Sequence, residues 1–300
     1  MIKKKKSGFL VLEPITIVDR IILIWIVFLC FTCIMPFLHL IAVSLSSNRA
    51  VLSNQVSFVP IEINFNAYIR VFTSSLMVRQ MVFTAILTAV QTVLALVVTS
   101  LAAYPLSKRY LPGRYVITIV IMITMYFSPG LIPTYLFYND LNLLNTVWVL
   151  ILPGAFSAFN MLIMRNYFMN SVPKELEESA IIDGANHFQI FLKIWIPLSK
   201  PVIATIGMWV AVGRWNSFSD SMWFTTDRHL QTLQLLLYNM ILSARPSESF
   251  TGEALIGMAS SAPETLQAAT IMFATVPILL VYPFIQKYFV KGVMLGSIKG

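Results

Sequence analysis

The chain has 300 residues, of which 57% are hydrophobic and 11% are charged, and its net charge is +8. The mean hydropathy of +0.77 is far above that of soluble domains, which excludes an ordinary soluble enzyme or binding module. The basic residues are spread over the segments between apolar runs, unlike the single basic patch of a nucleic-acid-binding protein, so no nucleic-acid partner is expected.

Apolar runs of about 20 residues recur along the chain, and each is long enough to cross roughly 30 Å of hydrocarbon as a helix. The runs are continuous rather than alternating, which favours helices over a β-barrel. We therefore predict an all-α integral membrane protein with six transmembrane helices. The predicted spans are residues 21–45, 81–104, 115–137, 147–164, 202–222 and 266–285.

The distribution of positive charge predicts the topology. Most of the 21 Lys and Arg residues fall on one side of the membrane when the N-terminus is inside, so the positive-inside rule places both termini in the cytoplasm. The first span is too long for a signal-peptide core, and we expect it to remain as an anchor. The predicted organisation is a basic cytoplasmic lead (1–20), a transmembrane domain (21–290) with a long inner loop (165–200), and a cytoplasmic tail (291–300).

Few residues suggest metal or redox chemistry. Cys30 and Cys33 form a C-x-x-C pair, but both lie inside the first predicted span, so we interpret them as small apolar residues of a lipid-facing helix. The histidines His39, His187 and His229 are scattered, without H-E-x-x-H spacing, and no metal site is predicted. The sequence also lacks G-x-x-x-x-G-K-[ST], so no phosphate-binding loop of this type is predicted in the chain itself.

The inner loop contains the densest acidic cluster, ELEESAIIDG, at residues 175–184. Ser171 is placed to cap a short helix there, and Glu175 and Glu177 would complement its positive end. Gly184 is placed to end the helix in a left-handed conformation. The shape alone leaves two interpretations open: a projection that docks a partner protein, or an ordinary ordered loop on the inner leaflet.

The spacing within this loop resembles the EAA signature of ABC importer permeases. That signature is Glu-Ala-Ala, three residues, Gly, nine residues, then Ile, any residue, Leu and Pro. The chain departs from it only at Ser179, where the signature has Ala, and at Ile196, where it has Leu. The residues aligned with the specified positions of the signature are Glu178, Ser179, Ala180, Gly184, Ile194, Ile196 and Pro197.

The similarity extends over nearly the whole chain. Residues 130–146, 152–160, 214–218 and 283–300 all resemble sugar permeases of the maltose-type class. The tail and residues 261–270 are most similar to the subgroup that handles complex oligosaccharides. The resemblance implies a type I ABC importer permease fold in the plasma membrane of a bacterium. It also implies a non-enzymatic subunit that moves a carbohydrate inward by alternating access.

The resemblance further implies partners and roles. The partners would be a homologous second permease, two copies of a cytoplasmic ATPase that uses ATP and Mg²⁺, and an extracellular binding protein that delivers the carbohydrate; the chain itself would bind no cofactor. The outer loops 46–78 and 223–263 would contact the binding protein. Glu178, Ser179, Ala180, Asp183 and Gly184 would form the coupling element on the ATPase, with Ile194 and Pro197 supporting the loop.

Polar residues inside spans are costly and tend to face a cavity or a neighbouring helix. Amides and carboxylates can bind sugar hydroxyls while aromatic rings stack on the C–H faces, so a mixture of both types suits a carbohydrate path. The alternative is that these residues pack between helices or sit at the membrane interface. The candidates are Asn160, Arg214, Trp215, Asn216, Asp220, Tyr126 and Tyr135, and Asn216 and Asp220 are expected to share a helix face.

Other classes of membrane protein predict different features. A secondary carrier would show an intramembrane ion relay and repeated halves, neither of which is visible in the sequence. An intramembrane hydrolase would need a nucleophile paired with a base at depth, and the three histidines are not placed to serve as one. An ABC importer for a non-sugar solute carries the same loop signature and stays open.

Overall fold

The computed structural model describes residues 16–243 and 264–297, which form helices and loops and contain no strand. Short 3₁₀ turns lie at Leu152–Gly154 and Arg228–Leu230, and a π-helical turn lies at Phe191–Trp195. In chain order the α-helices are α1 (Ile17–Ser44), α2 (Asn48–Leu52), α3 (Asn66–Thr73), α4 (Ser75–Ser107), α5 (Arg114–Ile123), α6 (Leu131–Asp140), α7 (Val147–Ile151), α8 (Ala158–Ser171), α9 (Lys174–Ile182), α10 (His187–Ile190), α11 (Ile196–Leu198), α12 (Lys200–Asn216), α13 (Ser219–Phe224), α14 (Leu233–Ser243) and α15 (Glu264–Ser297).

Within these ranges, α1, α4 and the Glu264–Val281 part of α15 are each long and apolar enough to cross a membrane. Two bent pairs pass the same test when each is taken as one span, which raises the number to as many as five. One pair joins Val147–Gly154 to α8 at 43°, and the other joins His187–Leu198 to α12 at 79°. Six spans and the side of each terminus therefore stay predictions.

α1 presents an almost fully exposed apolar surface, which is typical of a helix that faces lipid. It begins earlier than the predicted span because Thr16 caps it: the Asp19 backbone N–H donates to Thr16 Oγ1 (3.2 Å), and the Thr16 N–H donates to Asp19 Oδ2 (2.8 Å). Cys30 and Cys33 both lie on the exposed surface of this helix. Only its last turn, at Ala42–Ser44, is buried.

α4 is the central helix, and it packs mainly against α8 and α12. It runs from Ser75 to Ser107, longer at both ends than the predicted 81–104, and Ser74 Oγ caps its start by accepting from the Met77 N–H. Its buried side carries polar as well as small residues, which lets neighbouring helices approach closely. The buried polar residues are Gln80, Thr84, Gln91, Thr99, Ser100 and Ser107.

Three predicted spans are interrupted rather than straight. The predicted span 115–137 forms α5 and α6, separated by a segment that ends at Gly130 with φ +85°. The span 147–164 bends at Leu152–Gly154, where a proline interrupts the helix. The span 202–222 breaks after Asn216, and α13 follows from Ser219.

α15 continues past the predicted end of the sixth span, from residue 285 to Ser297, with Pro277 and Pro283 inside the helix. Three parts of the predicted organisation lie outside the described residues. They are residues 1–15 of the lead, residues 244–263 of the last outer loop and residues 298–300 of the tail.

Two apolar clusters mark opposite ends of the bundle. The first joins the C-terminal end of α4 to α8 and to the return segment after α9, through Leu106, Met164, Phe168, Ile190 and Trp195. The second joins the N-terminal end of α4 to α3, α14 and α15. The inner loop is therefore built directly onto one end of α4, the central helix of the bundle.

Candidate functional site

The short acidic helix predicted in the inner loop is α9, and Pro173 rather than Ser171 occupies its N-cap position. The proposed cap at Ser171 is wrong, because Ser171 is the last residue of α8. Val172 separates the two helices in an extended conformation (φ −101°, ψ 117°), which is the conformation that a following proline favours. The chain thus enters α9 through two extended residues, Val172 and Pro173, without a side-chain cap.

The glycine corner at the end of α9 is confirmed. Gly184 has φ +80°, and its N–H donates to the Ile181 carbonyl at 3.0 Å. The Ala185 N–H donates to the Ala180 carbonyl at 2.9 Å, which completes a Schellman motif. No side chain would clash here, since nothing lies within 4 Å of a Cβ at this position, so the left-handed backbone alone favours glycine.

One face of α9 has no partner within the described chain. Glu178, Ser179 and Asp183 are exposed, and neither carboxylate forms an ion pair with another described residue. Ala180 is half-buried, whereas Ile182 is 86% exposed. A short helix that exposes acidic and large apolar side chains together is typical of a surface that another protein covers.

The opposite face of α9 is fixed by Glu177. Its Oε2 accepts a hydrogen bond of 2.5 Å from Lys108 Nζ, and both side chains are buried. Glu175 and Glu177 lie in the first turn of α9, as predicted for residues that complement the helix dipole, but the Glu177 side chain also turns inward. Burial lowers the pKa of Lys108 from its ordinary value, an effect that the hydrogen bond it donates to Glu177 partly offsets.

The segment that returns from α9 to α12 is packed against the bundle. Asn186 caps α10 in a reciprocal capping box with Gln189. Ile190 and Trp195 are buried, and Ile194 is half-buried against the same apolar cluster. Pro197 is exposed in α11, at the 79° elbow that leads into α12.

Among the transport-path candidates, the structure pairs Arg214 with Asp220. Arg214 is buried, forms a salt bridge with Asp220 and donates to the Leu150 carbonyl at 3.1 Å. Ser217 Oγ also donates to Asp220 Oδ1 at 2.7 Å. These bonds hold the break between α12 and α13 and attach it to α7, so both charges are engaged within the protein.

The other candidates do not gather into one site. Trp215 is buried and its Nε1 donates to the Ala274 carbonyl of α15 at 3.1 Å. Asn216 is exposed, and its Nδ2 donates to the Val212 carbonyl. The expectation that Asn216 and Asp220 share a helix face is wrong, because α12 ends at Asn216 and Asp220 belongs to α13. The remaining three are Asn160, half-buried, Tyr126, 87% exposed, and Tyr135, stacked on Phe224 at 6.3 Å.

Sequence reasoning missed the polar side of α4. Gln91 is buried, and its side chain lies on Gly154 so closely that a Cβ there would come within 1.8 Å of Gln91 Nε2. Thr84 Oγ1 accepts a hydrogen bond of 2.9 Å from the Leu233 N–H at the start of α14. The signal was present, since a glutamine inside an apolar span is costly unless it faces the bundle.

A cavity of about 480 Å³ lies between α4, α12 and α15 and is lined almost entirely by apolar side chains. Its lining includes Met208, Trp215 and Ile278, with the hydroxyls of Thr88 and Thr92 at the wall. A binding site for a hydroxyl-rich molecule needs several converging polar groups, which this cavity lacks. It therefore does not serve as a sugar site within this chain alone.

Comparisons with known proteins agree with this architecture. The family model for the binding-protein-dependent transport system inner membrane component matches residues 95–295, more than half of the chain. The polygalacturonan/rhamnogalacturonan transport system permease protein YtcP of Bacillus subtilis (strain 168) is 39% identical over 283 residues, covering 94% of this chain and 98% of that protein.

Two solved structures are also similar. A chain of a bacterial ABC transporter involved in the import of the acidic polysaccharide alginate has a TM-score of 0.81 and 35% identity, covering 91% of this chain and 98% of that chain. A chain of a bacterial alginate ABC transporter in complex with an alginate pentasaccharide-bound periplasmic protein has a TM-score of 0.57 at 14% identity, which supports the fold alone. The present chain belongs to the family of inner membrane components of binding-protein-dependent transport systems.

Proposed function

We propose that this chain is the transmembrane permease subunit of an ATP-driven importer that moves an oligosaccharide from an extracellular binding protein into the cytoplasm. The observation that carries the proposal is α9, a short helix with a glycine corner, an exposed acidic and apolar face, and an inner face fixed to the bundle. That arrangement suits a rigid element that receives force from another protein. Family membership supports the requirement for a binding protein.

In this proposal α9 seats in a cleft on a cytoplasmic ATPase. Glu178 supplies the charged anchor, Ser179 and Ala180 allow close approach, and the corner of Asp183 and Gly184 fixes the direction of the helix. Ile194 and Pro197 belong to the segment that supports the loop. Two ATPase copies use ATP and Mg²⁺, a homologous second permease completes the pore, and this chain binds no cofactor itself.

For the substrate we propose short acidic oligosaccharides built from uronic acids. Two independent comparisons support this class: the relative YtcP is named for polygalacturonan and rhamnogalacturonan, and the 35% identical structure comes from an importer of the acidic polysaccharide alginate. The path candidates Asn160, Trp215, Asn216, Tyr126 and Tyr135 remain proposals for the lining. Arg214 and Asp220 are proposed to shape the path by holding the α12–α13 break rather than by binding sugar.

Reconstitution tests both parts of this proposal. The chain, its second permease, the ATPase and the binding protein are placed in proteoliposomes, and ATP-dependent uptake of labelled oligogalacturonides is compared with that of neutral maltooligosaccharides. We expect uptake of the acidic sugar only when all components and ATP are present. Uptake of the neutral sugar alone would overturn the substrate class, and concentrative uptake by the isolated chain would overturn the ATP-driven mechanism.

A further inference from the structure

A buried ion pair connects the inner face of α9 to the end of α4. Lys108 directly follows the last residue of α4, and its Nζ donates to Glu177 Oε2 at 2.5 Å. The two side chains are only 6% and 9% exposed. Because the two residues are 69 positions apart, the bond joins a loop helix to a membrane-crossing helix rather than closing a local turn.

The lysine ammonium also lies against two aromatic rings. Its Nζ is 3.6 Å from the ring centroid of Trp195 and 4.3 Å from that of Tyr104. Trp195 closes the π-helical turn that leads towards α12, and Tyr104 belongs to the last turns of α4. Cation–π contacts are strongest when the cation is desolvated, as it is here. Three segments of the inner end of the protein therefore meet at one charge.

A buried ion pair of this kind contributes little net stability, because desolvation of both charges offsets their attraction. Its geometry is nevertheless directional, since the pair holds α9 in one position relative to α4. Glu177 Oε1 and Trp195 Nε1 have no hydrogen-bond partner in the described chain, so the cluster is not optimised as a stabilising network. A polar contact that stabilises little but fixes register is suited to transmitting position.

α4 is suited to carry a displacement across the membrane. Its 33 residues correspond to about 50 Å of helix. Near the loop, Arg165 Nε of α8 donates to the Leu106 carbonyl at 2.8 Å, and near the opposite end Thr84 Oγ1 accepts from the Leu233 N–H of α14. A movement imposed on Lys108 would therefore reach α8, α12 and α14 through α4.

We propose that the Lys108–Glu177 pair is the joint through which a displacement of α9 is transmitted to α4, so that both residues are positioning residues for the coupling of ATP use to transport. The proposal rests on the proposed docking of α9 on an ATPase. Beyond that docking, the displacement of α9 is transmitted to α4, the second predicted span, through the Lys108–Glu177 ion pair rather than along the backbone of the loop.

The test follows α4 directly and needs no sugar. In the complete importer, Cys30 and Cys33 are replaced by alanine and Val97 by cysteine, and Val97→Cys on the exposed side of α4 carries an environment-sensitive fluorophore. ATP with vanadate is then added. We expect a change in emission in the parent complex and a change about tenfold smaller with Glu177→Gln or Lys108→Met.

The matched control is Glu175→Gln, which makes the same chemical change at an exposed position of the same helix and should leave the response intact. No emission change in the parent complex would overturn the proposal, since α4 would not move. A full response with Glu177→Gln would also overturn it. So would a loss of response accompanied by loss of ATPase co-purification, because the pair would then be a folding contact only.

A further pair of variants separates this joint from the docking of α9. Exchanging the charges, with Lys108→Glu and Glu177→Lys together, keeps an ion pair and should restore part of the response that each single substitution loses; no recovery would contradict the joint. Glu178→Lys should release the ATPase and abolish the response. If Glu178→Lys leaves the emission change intact, the proposed docking of α9 on an ATPase is wrong. If Glu178→Lys abolishes the emission change but Glu177→Gln does not, the docking stands and only the proposed role of the Lys108–Glu177 pair is wrong.

Discussion

Two regions of the described chain each contain an ion pair with a buried cation, and the two pairs have different structural roles. Arg214 and Asp220 are six residues apart and hold a break between consecutive helices, whereas Lys108 and Glu177 are 69 residues apart and connect a loop to α4. In both regions the opposite charges pair with each other inside the chain. On the exposed face of α9, by contrast, Glu178 and Asp183 form no ion pair with another described residue, which leaves them available to a partner.

The first prediction concerns the Arg214–Asp220 pair. Arg214→Met leaves Asp220 without its cation and removes the bond to the Leu150 carbonyl, so we expect about 3–5 kcal/mol of destabilisation. Thermal unfolding of the purified chain in detergent measures the effect. The control is Arg228→Ala, at an exposed position of a 3₁₀ turn. Equal shifts for both variants would show that the Arg214–Asp220 pair does not hold the break.

The second prediction concerns the contact of Gln91 with the bend at Gly154. Gly154→Ala places a Cβ within 1.8 Å of Gln91 Nε2, and displacing this buried amide should cost about 1–3 kcal/mol. In a Gln91→Ala background the same change should cost much less, because the obstructing side chain is gone. Additive effects in this double-mutant cycle would mean that the bend accommodates the methyl group without touching Gln91.

The third prediction concerns the glycine corner at Gly184, which ends α9. Gly184→Ala forces alanine into a left-handed backbone at φ +80°, with an expected cost of about 1–2 kcal/mol and reduced uptake. Gly213→Ala is the matched control, since a Cβ at either glycine meets no atom within 4 Å and only the backbone differs. Because Gly213 lies within α12, its replacement should be neutral or slightly stabilising.

The sequence predicts local features of the loop well, because they depend on neighbouring residues. The corner at Gly184 follows from the preference of glycine for positive φ, and the loop signature places the exposed acidic face. The partner of Glu177 could not be predicted, since Lys108 is brought beside it only by the packing of α4. The inward orientation of the Glu177 carboxylate could therefore be seen only in the folded structure.

Helix interruptions were predictable only in part. Pro129-Gly130 and Pro153-Gly154 are visible breakers, yet hydropathy averaged over about 20 residues hides them within apolar runs. The break after Asn216 has no proline or glycine at the break itself and is held by the Arg214–Asp220 pair. The averaged hydropathy does not register this break, which is why Asn216 and Asp220 were placed on one face.

The proposed coupling of this chain to an ATPase depends most directly on the exposed face of α9. The decisive measurement is ATP hydrolysis stimulated by the binding protein in the reconstituted importer, compared between the parent complex and Glu178→Lys, with Glu175→Gln as the control. We predict that Glu178→Lys abolishes the stimulated activity while the control retains it. Stimulated hydrolysis at the parent rate in Glu178→Lys would contradict the assignment of α9 as the element that couples this permease to its ATPase.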